Sequence, residues 1–196
     1  MTLPGIRNLV VTTLTEPRLA AEQLIALQVA RPVLWQAMLL MVVLNALAFW
    51  IGVLAIPPAT GLPPMMGTPF MFALTMGCGA VVTVFAVTFV GTWLGGQARL
   101  DDILVLVTWL QGLRFAVQVL TTFLTFTFPS LAIVVLMAVN IYGLWIFVNF
   151  IDIAHRLESL GKAFGVVLMA GFGIIMGLIF MLSLIGATTL GVSAHV

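Results

Sequence analysis

Residues 103–127 read Ile103-Leu104-Val105-Leu106-Val107-Thr108-Trp109-Leu110-Gln111-Gly112-Leu113-Arg114-Phe115-Ala116-Val117-Gln118-Val119-Leu120-Thr121-Thr122-Phe123-Leu124-Thr125-Phe126-Thr127. At about 1.5 Å per residue this run crosses a hydrocarbon core of about 30 Å, yet it carries a guanidinium and two amides near its middle. At about 100° per residue Gln111, Arg114, Gln118, Thr121 and Thr125 fall within one narrow sector, a polar stripe down an apolar cylinder. Such a stripe is expected to turn away from lipid and into a bundle.

The rest of the chain supplies that bundle. Of 196 residues, 63% are hydrophobic and only 7% are charged, with a mean hydropathy of +1.28. Soluble domains carry about 25% charged residues, so the solvent here is a bilayer. The apolar runs lack strand-like alternation, and a backbone in lipid must satisfy its own hydrogen bonds, so they are expected to be helices. The fold class is therefore all-α: an integral membrane bundle of five transmembrane helices with a short N-terminal amphipathic interfacial helix.

Outward from the third span, the expected spans are 32–56, 68–95, 103–127, 129–151 and 162–189, within a domain of 32–189. Phe128 and Pro129 make the tightest turn, so spans three and four should be antiparallel neighbours. The uncharged link 56–64 holds four prolines, which stop the helix before it. Segment 1–31 is expected to hold a short helix starting after Thr15, with Pro17 in its first turn, lying on the membrane surface as an anchor or as a docking point. The first span reads as an uncleaved signal anchor, and 190–196 as a short tail. Arg7, Arg18, Arg31, Arg99, Arg156 and Lys162 all fall on one side, which the positive-inside rule makes cytoplasmic, leaving the tail outside. Trp35, Trp93 and Trp50 fall near the span ends, where amphipathic rings reside.

Several classes drop out. A formal charge of +1 and the lack of a basic tail argue against nucleic acid. The single cysteine, Cys78, has no second thiol and reads as a packing residue. Asp152, His155 and Arg156 at the end of span four lie at helical spacing but read as a solvated helix end, so no metal and no cofactor are expected. No nucleophile elbow, phosphate loop or zinc signature supports an enzyme. Gly91 with Gly95, Gly161 with Gly165, and Gly173 with Gly177 have helix-contact spacing and read as intramolecular packing ahead of dimer contacts.

The candidate site follows from depth. Arg114 lies about 18 Å into its span, too deep for easy snorkelling, and insertion of such a charge costs roughly 2.5–3.5 kcal/mol on translocon scales. Asn45 and Asn140 sit near the middle of spans one and four, so the expected cluster is Asn45, Gln111, Arg114, Gln118 and Asn140. It can serve as interhelical glue, as a site for an anion or lipid head group, or as a contact to another subunit. The spans carry no acidic relay for ion pumping. Asn149 points away from this cluster, toward the side of Asp152.

Thr15, Glu16, Pro17 and Arg18, five spans, and Gly95, Gly96 and Gln97 leading through Arg99 and Asp102 to Leu106 and Trp109 resemble the bacterial branch of the Yip family over residues 15–188. The eukaryotic members are named for interacting with Ypt/Rab GTPases and act in vesicle traffic. The resemblance implies five helices and a cytoplasmic N-terminus. It carries over no catalytic residue, and no GTPase-binding role, because the Asp-Leu-Tyr-Gly motif of the long N-terminal region is unmatched. The expectation is a non-enzymatic scaffold or accessory subunit of a complex in a bacterial inner membrane. Its partners would be lipids and another integral membrane protein, with homo-oligomers open. The second reading is a small-molecule or lipid transporter in which the Arg114 cluster lines a cavity.

Overall fold

The computed structural model describes residues 5–55 and 67–191. Its regular elements there are α1 (Ile6–Thr15), α2 (Pro17–Ala26), α3 (Arg31–Ala55), α4 (Pro69–Trp93), α5 (Leu100–Thr127), α6 (Pro129–His155) and α7 (Leu160–Gly191). Five of them, α3 to α6 and Leu160–Phe180 of α7, are long and apolar enough to cross a membrane. The proline-rich link expected at 56–64 and the end of the expected tail, 192–196, lie outside the described residues.

Local chemistry sets the helix ends. Thr68 Oγ1 accepts the Met71 N–H at 3.2 Å to cap α4, and Pro69 takes the first helical position, where an N–H would have no partner. The Asp102 carboxylate reaches back to accept the Arg99 N–H at 3.0 Å at the start of α5. Phe128 alone joins α5 to α6, with Pro129 opening the second helix.

Helices α3, α4, α7, α6 and α5 touch in that order around a ring that closes from α5 back to α3, and α4 also meets α5 across it. Helices α3, α5 and α7 start at the end that carries the charged links, and α4 and α6 finish there. Arg31 and Asp101 join two of the starts as a bidentate pair, Nε to Oδ1 at 2.6 Å and Nη2 to Oδ2 at 3.2 Å.

The core is uneven along the ring axis. On α6 burial is confined to Ala132 and to Ile146 onward, and on α7, among the described residues, to Ala163, Val166 and Ala170. Ile103, Leu104, Leu106, Val107, Val84, Val87, Phe150 and Ile151 complete a packed half at the charged end. Toward the other end α6 and α7 carry exposed stretches, with Ile133, Met137 and Ile141 of α6 and Phe172, Ile175 and Ile179 of α7 open, while Phe49 of α3 stacks on Phe72 of α4 and Gly52 of α3 lies against Thr122 of α5.

The N-terminal segment forms two helices where the sequence indicated one, and the pair packs against α5 and α6. Ala20, Ala21 and Leu24 are buried there. Trp109 Nε1 of α5 donates to Thr13 Oγ1 at 3.0 Å, Thr13 Oγ1 donates to its own Leu9 carbonyl at 2.7 Å, and Tyr142 of α6 donates its hydroxyl to the Leu14 carbonyl. Trp109→Phe or Thr13→Val removes the first bond, and each is expected to cost about 1 kcal/mol, a fall of roughly 2–4 °C in the thermal midpoint in detergent. The double variant should lose no more than either single change with respect to that bond.

Candidate functional site

The stripe on α5 is half-buried at Gln111, Gln118 and Thr125 and buried at Thr121, but exposed at Arg114. Ile103, Val107 and Thr121 stand eleven and seven residues before and seven after Arg114, hence on the same face, and all three are buried. Arg114 between them is exposed, about 20 Å from either end of α5. Its guanidinium makes no hydrogen bond or ion pair among the described residues. Arg114 is thus an exposed position on a face that is buried both before and after it.

The structure brings two of the five candidate residues together. Asn45 is buried, and its Nδ2 donates to the Gln111 carbonyl at 3.0 Å and to the Met41 carbonyl at 2.7 Å, tying α3 to α5. Gln118 reaches only Thr122 Oγ1, at 3.5 Å on its own helix. Asn140 is exposed and donates to the Leu136 carbonyl at 2.7 Å, also on its own helix. No hydrogen bond joins Arg114 to Gln111, Gln118 or Asn140. Asn140 lies in the exposed stretch of α6, outside its packed part from Ile146 onward.

The strongest polar packing lies at the charged end, at residues read from the sequence as a solvated helix end. Asp152 and His155 are buried instead, with relative exposures of 1% and 0%, because α2 and the α4–α5 link close over them. Asp152 Oδ1 accepts the Ser159 N–H at 3.0 Å, and Oδ2 stands 2.8 Å from Arg18 Nη2 of α2. Asn149, one turn earlier, is buried as well and donates to the Trp145 carbonyl at 2.8 Å. Arg156 adopts the left-handed conformation at φ 53°, which lets the Leu157 N–H return to the Asp152 carbonyl at 3.1 Å and end α6.

Gly95, Gly96 and Gln97 form a clasp on that end. Gly95 has φ +87°, a conformation that favours glycine, and the Gly96 N–H turns back to the Gly91 carbonyl at 2.8 Å. The reversal seats the His155 imidazole against Gly91 and Gly96: a Cβ at Gly91 would stand 2.6 Å from Nδ1, and one at Gly96 would stand 2.7 Å from His155 Cβ. The Gln97 N–H then donates to the His155 carbonyl at 3.0 Å. Neither ring nitrogen makes a hydrogen bond of good geometry. Of the three glycine pairs singled out in the sequence, Gly91 is filled within the chain, whereas Gly165, Gly173 and Gly177 face open space. Nothing in the local sequence of α6 signals that its polar end is roofed. The Gly95-Gly96 pair was the available signal.

An all-helical ring of membrane-length helices, clasped at one end by Gly95, Gly96, Gln97 and His155 and braced by Arg18 and Asp152, defines an integral membrane bundle. The segment from Gly95 through Asp102 and Leu106 to Trp109 supplies in turn the reversal, the α5 cap, a fully buried core residue and the anchor of α1. A family model described as the Yip1 domain matches residues 11–183, and the chain belongs to that family. No curated protein and no solved structure matches.

Proposed function

We propose that this chain is a non-enzymatic scaffold or accessory subunit of a bacterial inner-membrane complex, with another integral membrane protein completing its bundle. The observation that carries this is the exposed stretch that α6 and α7 each carry among the described residues. Over 133–145 and 171–180 their residues are exposed or half-exposed, and the glycines of α7 there have no neighbour. Close approach of a helix is what such small residues permit. The concentration of Arg and Lys at the clasped end supports a cytoplasmic placement of that end. The test is photo-crosslinking from Met137 of α6 and Ile175 of α7 in native membranes, with mass spectrometry of the products. A stoichiometric membrane-protein adduct is expected; adducts to lipid alone would overturn the reading.

A second reading, a transporter or binding protein for a lipid or small anion, is favoured by one feature. Arg114 lies on the buried face of α5 yet stays open, with no partner among the described residues. Arg114→Leu separates the two. For the accessory subunit, Arg114→Leu is expected to leave the thermal midpoint within about 2 °C, because the side chain makes no bond within the ring, and to leave both crosslinks in place. For the second reading the same variant loses bound ligand or flux. A fall of several degrees would instead assign Arg114 to helix-holding.

A further inference from the structure

Between the N-terminal pair and α6 lies an open cleft of 430 Å³, within the range of about 300–1,000 Å³ common to small-ligand sites. Glu16, Arg18, Leu19, Glu22, Trp145 and Asn149 line it. Helix direction orders their chemistry. Helix α2 runs toward the charged end, since it leads through residues 27–30 to Arg31 and its pair with Asp101. Arg18 is held beside Asp152, which is three residues, or about 4.5 Å, from the end of α6. Glu22 is one turn of α2 nearer the membrane surface, and Trp145 is about two turns of α6 nearer the middle.

Arg18 is positioned without being used up. Asp152, with a side chain 0% exposed, fixes one Nη at 2.8 Å, while the Arg18 side chain is 51% exposed and its other donors are left to the cleft. A guanidinium so presented takes a phosphate through paired hydrogen bonds. Glu22 offers a carboxylate, which only accepts, at the spacing of a neighbouring ammonium. Glu16 adds a second carboxylate, which opposes a head group of net negative charge. A choline head has no N–H to give either of them. Leu19 and Trp145, 41% and 43% exposed, provide an aliphatic and aromatic wall for a chain running into the membrane.

We infer that this cleft binds a phospholipid with a primary-ammonium head group, its phosphate on Arg18, its ammonium on Glu22 and its acyl chain along Leu19 and Trp145. The test uses the full chain in nanodiscs containing equal parts of phosphatidylethanolamine, phosphatidylcholine and phosphatidylglycerol, with retained lipid read by native mass spectrometry. Phosphatidylethanolamine should be retained preferentially, and Glu22→Gln should cut that preference over phosphatidylcholine roughly tenfold, the factor one charge-assisted hydrogen bond supplies. Arg18→Lys keeps a cation beside Asp152 and should weaken retention of phosphatidylethanolamine without unfolding the bundle. Preferential retention of phosphatidylglycerol, or an unchanged ratio in Glu22→Gln, would overturn the assignment. Displacement by millimolar soluble phosphoethanolamine would assign the cleft to the free ester and overturn the lipid.

Discussion

Gly91→Ala is expected to cost about 3 kcal/mol, the upper part of the usual overpacking range, because its methyl would meet the His155 ring with no room to yield. Both sides of the contact are fixed. The imidazole is fully buried, and the Gln97 N–H holds the His155 backbone against the same link. In a chain of this size the thermal midpoint in detergent should fall by roughly 6–12 °C. His155→Ala should rescue it. Removing the ring opens a cavity but also removes two buried ring nitrogens without bonds, so the single variant should be milder than loss of an apolar ring of that size. In the His155→Ala background Gly91→Ala should be close to neutral. A penalty that persists there would show that Gly91 is required for a reason other than the imidazole.

Asp152→Ala should be as damaging by a different route. It strips the Ser159 N–H of its acceptor and leaves Arg18 without its counter-ion. Breaking a buried pair costs about 3–5 kcal/mol, and the half-exposure of Arg18 places this case near 3. Asp152→Asn keeps an oxygen for Ser159 and loses only the charge, so it should fall between wild type and Asp152→Ala. The measurement is the thermal midpoint of all three proteins in one detergent. Equal midpoints for Asp152→Asn and Asp152→Ala would assign the whole effect to the ion pair and none to the cap.

The five crossings were legible because a bilayer imposes a length and a polarity on each segment, and Pro69, Pro129 and the Phe128 joint mark helix starts in any environment. Arg114 shows where legibility ends. Its periodicity gave the face it occupies, since Ile103, Val107 and Thr121 share that face and are buried, but whether the ring closes around it depends on five helices at one depth. Asp152 and His155 went the other way. Beside Arg156 and Glu158 they have the composition of a wet helix end, and only the return of α2 and of residues 95–97, remote in sequence, removes the water. The helix expected after Thr15 is preceded by a second one, in which the Thr13 hydroxyl bonds back to the Leu9 carbonyl. Gly91 and Gly95 were read as one helix-contact pair, yet one makes room for a ring and the other takes a backbone conformation.

The Gly95–Gln97 clasp also sets an order of events during synthesis. Its plug, His155, leaves the ribosome about 60 residues after Gln97, a delay of roughly 3–12 s at about 5–20 residues per second. Through that interval the Gly95 turn and the start of α5 do not yet have His155 to close upon, and the Arg18 guanidinium waits longer still for Asp152. The charged end therefore cannot lock until four membrane helices are made, just before α7 follows to pack against α4 and α6.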